Sequence, residues 1–550
     1  MSTVRESDEH VRREDGVSAT ERSEPFDTVR DVTRDLLRSL GLTTIFGNPG
    51  TTEIGFLTDF PNDFRYVLGL QESVAVAMAD GYAHAAGRAV LVNLHSAGGV
   101  GHGLGHVFTA YRNNTPMIVL AGQQVRSLMP SEPFLGATDA TTFPRPYVKW
   151  AVEPARPQDV PAAIAHAHRV ATQPPYGPVF VSVPADDWDA PCDPLPERPA
   201  IPGFGPDPDA LAGLVAALDA ASAPALVAGP GVDAEGAIDD LVALAERTRA
   251  AVWASPMNWR SSFPEDHPLF AGFLPPEERG TAETLRAHDL VVVLGAPAFL
   301  FHVFRGHTDL PLPPLYLVSD DEQVLARARE GTAVRSGVRA AIRAVTAATS
   351  EPARETPAGR VRRPRPPETT PPRVEWVFSM LADELAEDTL LVEEIPSHLL
   401  VRREYLPVRA RRAGLLSTGG GALGYGLPAA VGAAIGAPDR KVVAVLGDGS
   451  SMYSIQGLWT AAREQLPVTF VVLDNGLYAA VDILAGPENA KMPGVELGGI
   501  DFVAVAGGMG LRTHRVTCPE ELKPALTAAL ADDRPTLVHV TVDPNPTVLY

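Results

Sequence analysis

Apolar positions in this chain gather into short runs of strand length, separated by segments with helical spacing, and the alternation recurs three times. Val29 to Leu40 repeats apolar residues at helical intervals and predicts an amphipathic helix. Compact apolar runs follow at TTIF (43–46), RYVLGL (65–70), AVLVNLHS (89–96) and PMIVLAGQ (116–123), with SVAVAMADGYAHAAG between them as a helix of small residues. Strands apolar on both faces, alternating with helices, predict a parallel sheet covered on both sides. The first such domain is expected over residues 26–190, closing after PVFVSVPADDW. A second is expected over 200–345, with strand, glycine turn and helix start in PALVAGPGVD (224–233) and a buried strand in DLVVVLGAP (289–297).

The third domain, expected over 374–550, alternates again: GALGYGLPAAVGAAIG (helix), KVVAVLGDG (strand), SMYSIQGLWTAAREQ (helix), VTFVVLDN (strand), PEELKPALTAALAD (helix) and PTLVHVTV (strand). Residues 351–373 are rich in Pro, Arg, Thr and Glu, the composition of a semi-rigid, solvated linker. Residues 1–25 are dense in Arg, Glu, Asp and Ser and predict a disordered tail. The expected fold class is therefore α/β, three doubly wound parallel-sheet domains in one chain of 550 residues.

Charge narrows the function. With 46 Lys and Arg against 67 Asp and Glu, the net charge of −21 repels phosphate backbones and anionic membranes, so neither nucleic acid nor membrane is expected as a partner. No apolar run approaches the eighteen or so residues of a membrane span, and MSTVRESDEHVRREDG has no apolar signal core. The two cysteines, Cys192 and Cys518, form no CxxC pair and no zinc set, which fits a reducing, cytoplasmic location.

Chemistry concentrates after two strands of the third domain. Gly447-Asp448-Gly449-Ser450 follows KVVAVL, and Asp474-Asn475 follows VTFVVL. Ligands of parallel sheets collect at the carboxyl ends of strands, so Asp448 and Asn475 should converge. A carboxylate, an amide oxygen and a backbone carbonyl are hard ligands suited to Mg²⁺ or Ca²⁺. Gly447 and Gly449 let backbone N–H groups approach a diphosphate at a helix start.

This pairing resembles the cofactor motif of the thiamin-diphosphate-dependent enzymes. The resemblance implies that Asp448, Asn475 and the carbonyl of Leu477 hold the metal that bridges the diphosphate. Asp474 stands where the family usually has a non-ligating Asn, read here as a minor departure. Glu72 matches the glutamate that contacts the cofactor pyrimidine and activates it. FGNPGTTE (46–53), FRYVLGLQE (64–72), NLHSAGGVG (93–101), PRPYVKW (144–150) and VPADDWD (183–189) further resemble the benzoylformate decarboxylases. That likeness runs from about residue 26 to the end of the chain and is looser in the middle domain. By it, Thr51 takes the place of a substrate-contacting serine, and His95 and His302 match two proton-transferring histidines. Leu423 matches the bulky residue that bends the cofactor. Asn48, Pro49, Gly50, Ser397, Gly421, Gly447, Gly449, Ser450, Tyr453 and Tyr478 fall where the family surrounds the cofactor.

The substrate wall departs from the pattern. Ser417 and Leu484 stand at two positions where the relatives carry phenylalanine, with Phe134, Leu135 and Ala480 as further wall, so a wider, reshaped apolar pocket is expected. His102, His106 and His307 have no counterpart and read as surface or packing residues. GPGVDA (229–234) is too partial a dinucleotide motif to predict a nucleotide. The resemblance thus implies a thiamin-diphosphate- and Mg²⁺-dependent decarboxylase that releases CO₂ and an aldehyde from an aryl or bulky 2-oxo acid, benzoylformate first. The alternative is a carboligase or decarboxylase acting on another 2-oxo acid. It also implies sites shared between subunits: a homodimer at minimum, with homotetramers usual.

Overall fold

The computed structural model describes residues 27–196, 198, 203–486 and 492–544; the predicted tail at 1–25 lies outside them. Three six-stranded sheets, parallel throughout their ladders, follow one another along the chain. The first comprises β1 (Thr44–Gly47), β2 (Arg65–Leu68), β3 (Val90–Leu94), β4 (Met117–Gln123), β5 (Ala151–Val152) and β6 (Val179–Pro184), in the order β2-β1-β3-β4-β6-β5. The second comprises β7 (Pro224–Ala228), β8 (Ala251–Ala254), β9 (Phe270–Phe273), β10 (Leu290–Leu294), β11 (Leu315–Ser319) and β12 (Thr332–Arg335). Its order, β12-β11-β10-β7-β8-β9, is the doubly wound dinucleotide-fold arrangement. The third comprises β13 (Leu390–Glu394), β14 (Leu415–Leu416), β15 (Val442–Gly447), β16 (Val468–Asp474), β17 (Arg512–Val516) and β18 (Thr536–Thr541). Its order, β14-β13-β15-β16-β18-β17, repeats that of the first sheet.

Central strands such as β3, β4, β10 and β13 are buried along their whole length, as expected of sheets covered on both faces. The first and third domains share one core, in which helix Glu72–Ala86 packs on helix Gly426–Gly436. Their backbones meet through glycine: a Cβ on Gly81 would overlap the Ala429 carbonyl, and one on Gly432 would overlap the Met78 carbonyl. A buried polar network also ties the domains. Asp80 accepts from Tyr425 Oη (2.7 Å) and Asn113 Nδ2 (3.1 Å), while Arg260 of the middle domain bonds His84 and pairs with Asp233 at 2.7 Å.

Three expectations change. The GALGYG segment is not helical: Gly421 and Gly424 take positive φ, and the helix begins at Gly426. The predicted helix through SMYSIQGLWTAAREQ is two helices, Asp448–Met452 and Gly457–Arg463, so GDGS itself opens a helix. The 351–373 segment has no helix or strand, but its arginines pin it: Arg360 Nη2 bonds Glu404 Oε1 (2.6 Å) and Arg362 Nη2 bonds the Glu265 carbonyl (3.1 Å).

Candidate active site

In doubly wound sheets the crevice lies where the strand order reverses, here between β13 and β15. A cavity of about 680 Å³ opens at that point. Ser397, Gly421, Leu423, Gly447, Asp448, Gly449, Ser450, Asn475, Leu477 and Tyr478 all line it, as do Ser417, Ala480, Leu484 and His302. Tyr453 does not; it is exposed and bonded to Tyr478.

Asp448 sits at the first position of its helix and is buried. Its carboxylate accepts from Gly449 N (2.8 Å) and Gly476 N (2.9 Å). Burial, reinforced by the adjacent Asp474 carboxylate, pushes its pKa up to about 6. Asp474 is not the minor departure expected. It bonds Asp448, and its Oδ2 meets His539 Nε2 at 2.8 Å; burial opposes its ionisation, but His539 and Asp448 hold it below the ordinary range. Two adjacent carboxyls beside an amide oxygen form a donor set that a divalent cation would neutralise, so the residues fit the metal of a bridged diphosphate. Tyr478 closes the cradle: a Cβ on Gly449 would lie 2.5 Å from its ring.

Glu394 lies at the end of β13, on the cavity wall. It accepts from Gly424 N (2.7 Å) and Gly426 N (2.8 Å) and so fixes the turn that presents Leu423. Burial pushes its pKa up to about 7, against these bonds.

The first domain carries a second constellation, and none of its residues lines that cavity. Glu72 is the first residue of helix Glu72–Ala86, next to a Gln71 cap, and its Oε2 meets His102 Nδ1 at 3.1 Å. His102, expected to be a surface or packing residue, thus touches the candidate activating carboxylate. His95 directly follows β3 and caps helix Ser96–Arg112. Its Nδ1 faces Glu53 Oε2 at 2.9 Å and Thr52 Oγ1 at 3.0 Å. Glu53 is buried and also accepts from Gly50 N (2.8 Å), Gly122 N (2.9 Å) and Thr52 Oγ1 (2.7 Å). This fixes the His95 proton on Nδ1 and leaves Nε2 as the ring's acceptor. A Cβ on Gly50 would overlap the His95 ring, which is why GNPG ends in glycine. Asn48 is half-buried, while Pro49 and Thr51 are exposed beside this cluster. Phe134 and Leu135 are exposed and stand apart from the cavity. His106 is buried, as expected of a packing residue, and burial lowers its pKa to about 4.

Glu53 and His102 were missed in the sequence. Glu53 had a signal, an acid three residues after the glycine that opens a helical turn; His102 had none beyond its position on a glycine-rich helix.

Two constellations of this chemistry on this pair of sheets fit a thiamin-diphosphate enzyme. Family profiles agree: thiamine pyrophosphate enzyme, N-terminal TPP binding domain, over 27–142; central domain over 211–345; C-terminal TPP binding domain over 395–540. The chain belongs to this family, and within it is a thiamin-diphosphate-dependent decarboxylase close to the benzoylformate decarboxylases. It is 40% identical to benzoylformate decarboxylase of Pseudomonas aeruginosa over 94% of this chain and 100% of that protein. The solved structure of the thiamine diphosphate-dependent 4-hydroxybenzoylformate decarboxylase of Rhodococcus jostii RHA1 superposes with a TM-score of 0.91 at 38% identity, covering 95% of this chain and 100% of that one. Benzoylformate decarboxylase from Polynucleobacter necessarius gives 0.90 at 36% identity, over 94% and 99%. Among the described residues no helix is long and apolar enough to cross a membrane.

Proposed function

We propose that this decarboxylase acts, with Mg²⁺, on an aryl or similarly bulky 2-oxo acid, benzoylformate being the first candidate. The carrying observation is the cavity itself, which Asp448, Asn475 and Leu477 line together with Leu423, Ser417, Ala480 and Leu484. The relatives named for benzoylformate and 4-hydroxybenzoylformate support an aryl group. Asp448, Asn475 and the Leu477 carbonyl would hold the cation, and Gly447, Gly449, Ser450 and Ser397 the diphosphate. Bound there, thiamin diphosphate supplies the electron sink for breaking the bond between carboxyl and keto carbon.

The chain's own residues do the rest. Glu72, steadied by His102, holds a proton at the pyrimidine. Leu423, on a turn fixed by Glu394, shapes the cofactor-binding wall. Thr51 meets the substrate carboxylate. His95 Nε2, backed by Glu53, and His302 exchange protons with the reacting carbonyl carbon and oxygen.

Because the Glu72 half and the Asp448 half occupy different places on one chain, a complete site takes one half from each of two subunits. This makes a homodimer the minimum unit and a homotetramer the expected one. Exposed apolar residues flank both halves: Ile54 (59% exposed), Leu70 (47%) and Phe134 (87%) on one, Leu484 (59%) on the other. Loading the protein with thiamin diphosphate and Mg²⁺ and measuring CO₂ and aldehyde from benzoylformate, pyruvate and branched 2-oxo acids tests the reading. Benzaldehyde from benzoylformate is expected; no release from any acid refutes it, and a coupled product in place of aldehyde favours the carboligase alternative. Mixing Glu72→Gln chains with Asp448→Asn chains should restore about one quarter of wild-type activity by random pairing; no recovery would refute the shared site.

A further inference from the structure

One cation on the cavity wall has no part in the chemistry above. Arg112 is the last residue of helix Ser96–Arg112 and lines the cavity. Among the described residues its side chain makes no hydrogen bond and no ion pair. None of the carboxylates that share the wall pairs with it: Glu393 pairs through Oε2 with Arg402 at 2.8 Å, its Oε1 having no partner, Glu394 accepts from the Gly424 and Gly426 amides, and Asp448 from the Gly449 and Gly476 amides.

Two consecutive glycines gather the surroundings of Arg112. A Cβ on Gly420 would lie 2.7 Å from the Phe108 ring and 3.2 Å from Arg112 Cγ; one on Gly419 would lie 2.9 Å from the Trp259 ring. Ser417 N donates to the Trp259 carbonyl at 3.0 Å, so Ser417, Trp259 and Arg112 border the same part of the wall. Trp259 is only 6% exposed, yet its indole N–H has no acceptor. A serine at 417 in place of a large aromatic leaves this corner open to a bound molecule. A half-buried guanidinium without a counter-ion and an unused indole donor on the same wall, with the Phe108 ring and the Asn258 amide beside them, are completed by a planar anion. A carboxylate accepts both guanidinium N–H groups in parallel and has lone pairs left for the indole.

We infer that Arg112, with the Trp259 indole N–H, binds a second carboxylate at the far end of the substrate. The preferred substrate is then a 2-oxo acid whose aryl or similarly bulky group carries a distal carboxylate. The inference rests on the decarboxylase reading of this cavity. In the reaction the carboxyl beside the keto carbon leaves as CO₂, a proton takes its place on that carbon, and the distal carboxylate stays on the aldehyde product.

The test compares kcat/KM of the loaded enzyme for 4-carboxybenzoylformate and benzoylformate. A charge-assisted pair predicts about tenfold or greater preference for the dicarboxylate, reduced by about tenfold or more in Arg112→Gln and partly kept in Arg112→Lys. Calorimetric binding of terephthalate and benzoate to the loaded enzyme gives a readout without turnover: terephthalate should bind more tightly, and Arg112→Gln should erase the difference. A wild type that prefers benzoylformate, or an Arg112→Gln enzyme of wild-type melting temperature with an unchanged ratio, overturns the inference. If Arg112→Gln does not fold, the wild-type ratio and terephthalate binding decide. If neither keto acid is decarboxylated, the aryl-substrate reading falls, and terephthalate binding still judges the Arg112 corner.

Discussion

Glu53→Gln isolates the carboxylate behind His95. In the wild type its two oxygens meet four groups: Oε1 accepts from Gly122 N (2.9 Å) and Thr52 Oγ1 (2.7 Å), while Oε2 accepts from Gly50 N (2.8 Å) and faces His95 Nδ1 (2.9 Å). Glutamine is isosteric but offers one oxygen and one NH₂. Whichever face receives the NH₂ sets it against a backbone N–H, Gly122 or Gly50, and leaves that donor buried without an acceptor. One such donor costs about 1–3 kcal/mol, and loss of charge on the remaining bonds adds about 1 kcal/mol, for a total of about 2–4 kcal/mol. At about 2–4 °C per kcal/mol for a domain of this size, the first-domain transition should fall by roughly 5–15 °C in a calorimetric scan. If the NH₂ faces His95, it donates to Nδ1 and moves the ring proton to Nε2, the nitrogen that must accept. The decarboxylation rate should then fall by about a hundredfold, and ¹⁵N NMR of the imidazole should report the opposite tautomer. A variant with wild-type melting and the wild-type tautomer would refute the claim that Glu53 orients His95.

Asp448→Asn removes the only formal charge among the three proposed metal ligands. Mg²⁺ affinity measured calorimetrically with thiamin diphosphate should drop at least about tenfold; an unchanged affinity would place the cation elsewhere. Glu394 keeps its proton in the folded protein up to about pH 7, whereas the unfolded chain releases it near the ordinary carboxyl value of 4.5. Its contribution to stability is therefore full below about pH 4.5, declines as pH rises towards 7 and is level above; the difference is about 3 kcal/mol at 1.36 kcal/mol per unit. Glu394→Gln should flatten this decline in denaturant titrations between pH 5 and 8, and an equal slope in both proteins would count against it. Gly432→Ala pushes a methyl into the Met78 carbonyl; it should cost about 1–3 kcal/mol by thermal melting, and a melt unchanged from wild type would mean that the two helices slide freely.

Local pattern carried much of this into view. Apolar runs of four to seven residues located β1, β3, β4, β10, β15 and β16 because fully buried parallel strands leave no polar alternation to misread. Asp448 and Asn475 were legible because each follows such a strand directly. The break at Tyr453–Gln456 was not, since its residues are acceptable in a helix and only tertiary contacts interrupt it. His102 and Arg112 escaped for a related reason. A charged or titratable residue on a helix reads as surface until the partner is seen, and Glu72 lies 30 positions away from His102 in sequence. Asp474 was underestimated because sequence shows which residue replaces the familiar one, but not that it lies against the neighbouring carboxyl.

The glycine seam between helices Glu72–Ala86 and Gly426–Gly436 has a mechanical consequence. One helix begins with Glu72 and the other follows directly from the Leu423 turn, so each chain carries its two unlike functional ends on a single spine with almost no slack. Backbones in contact at Gly81 and Gly432 cannot absorb displacement through side-chain rearrangement. Any tilt imposed at one end is therefore handed to the other, while the cavity wall can still vary at the segment after Leu416 that carries Ser417 and at the short helix Ala479–Ala485 that carries Leu484.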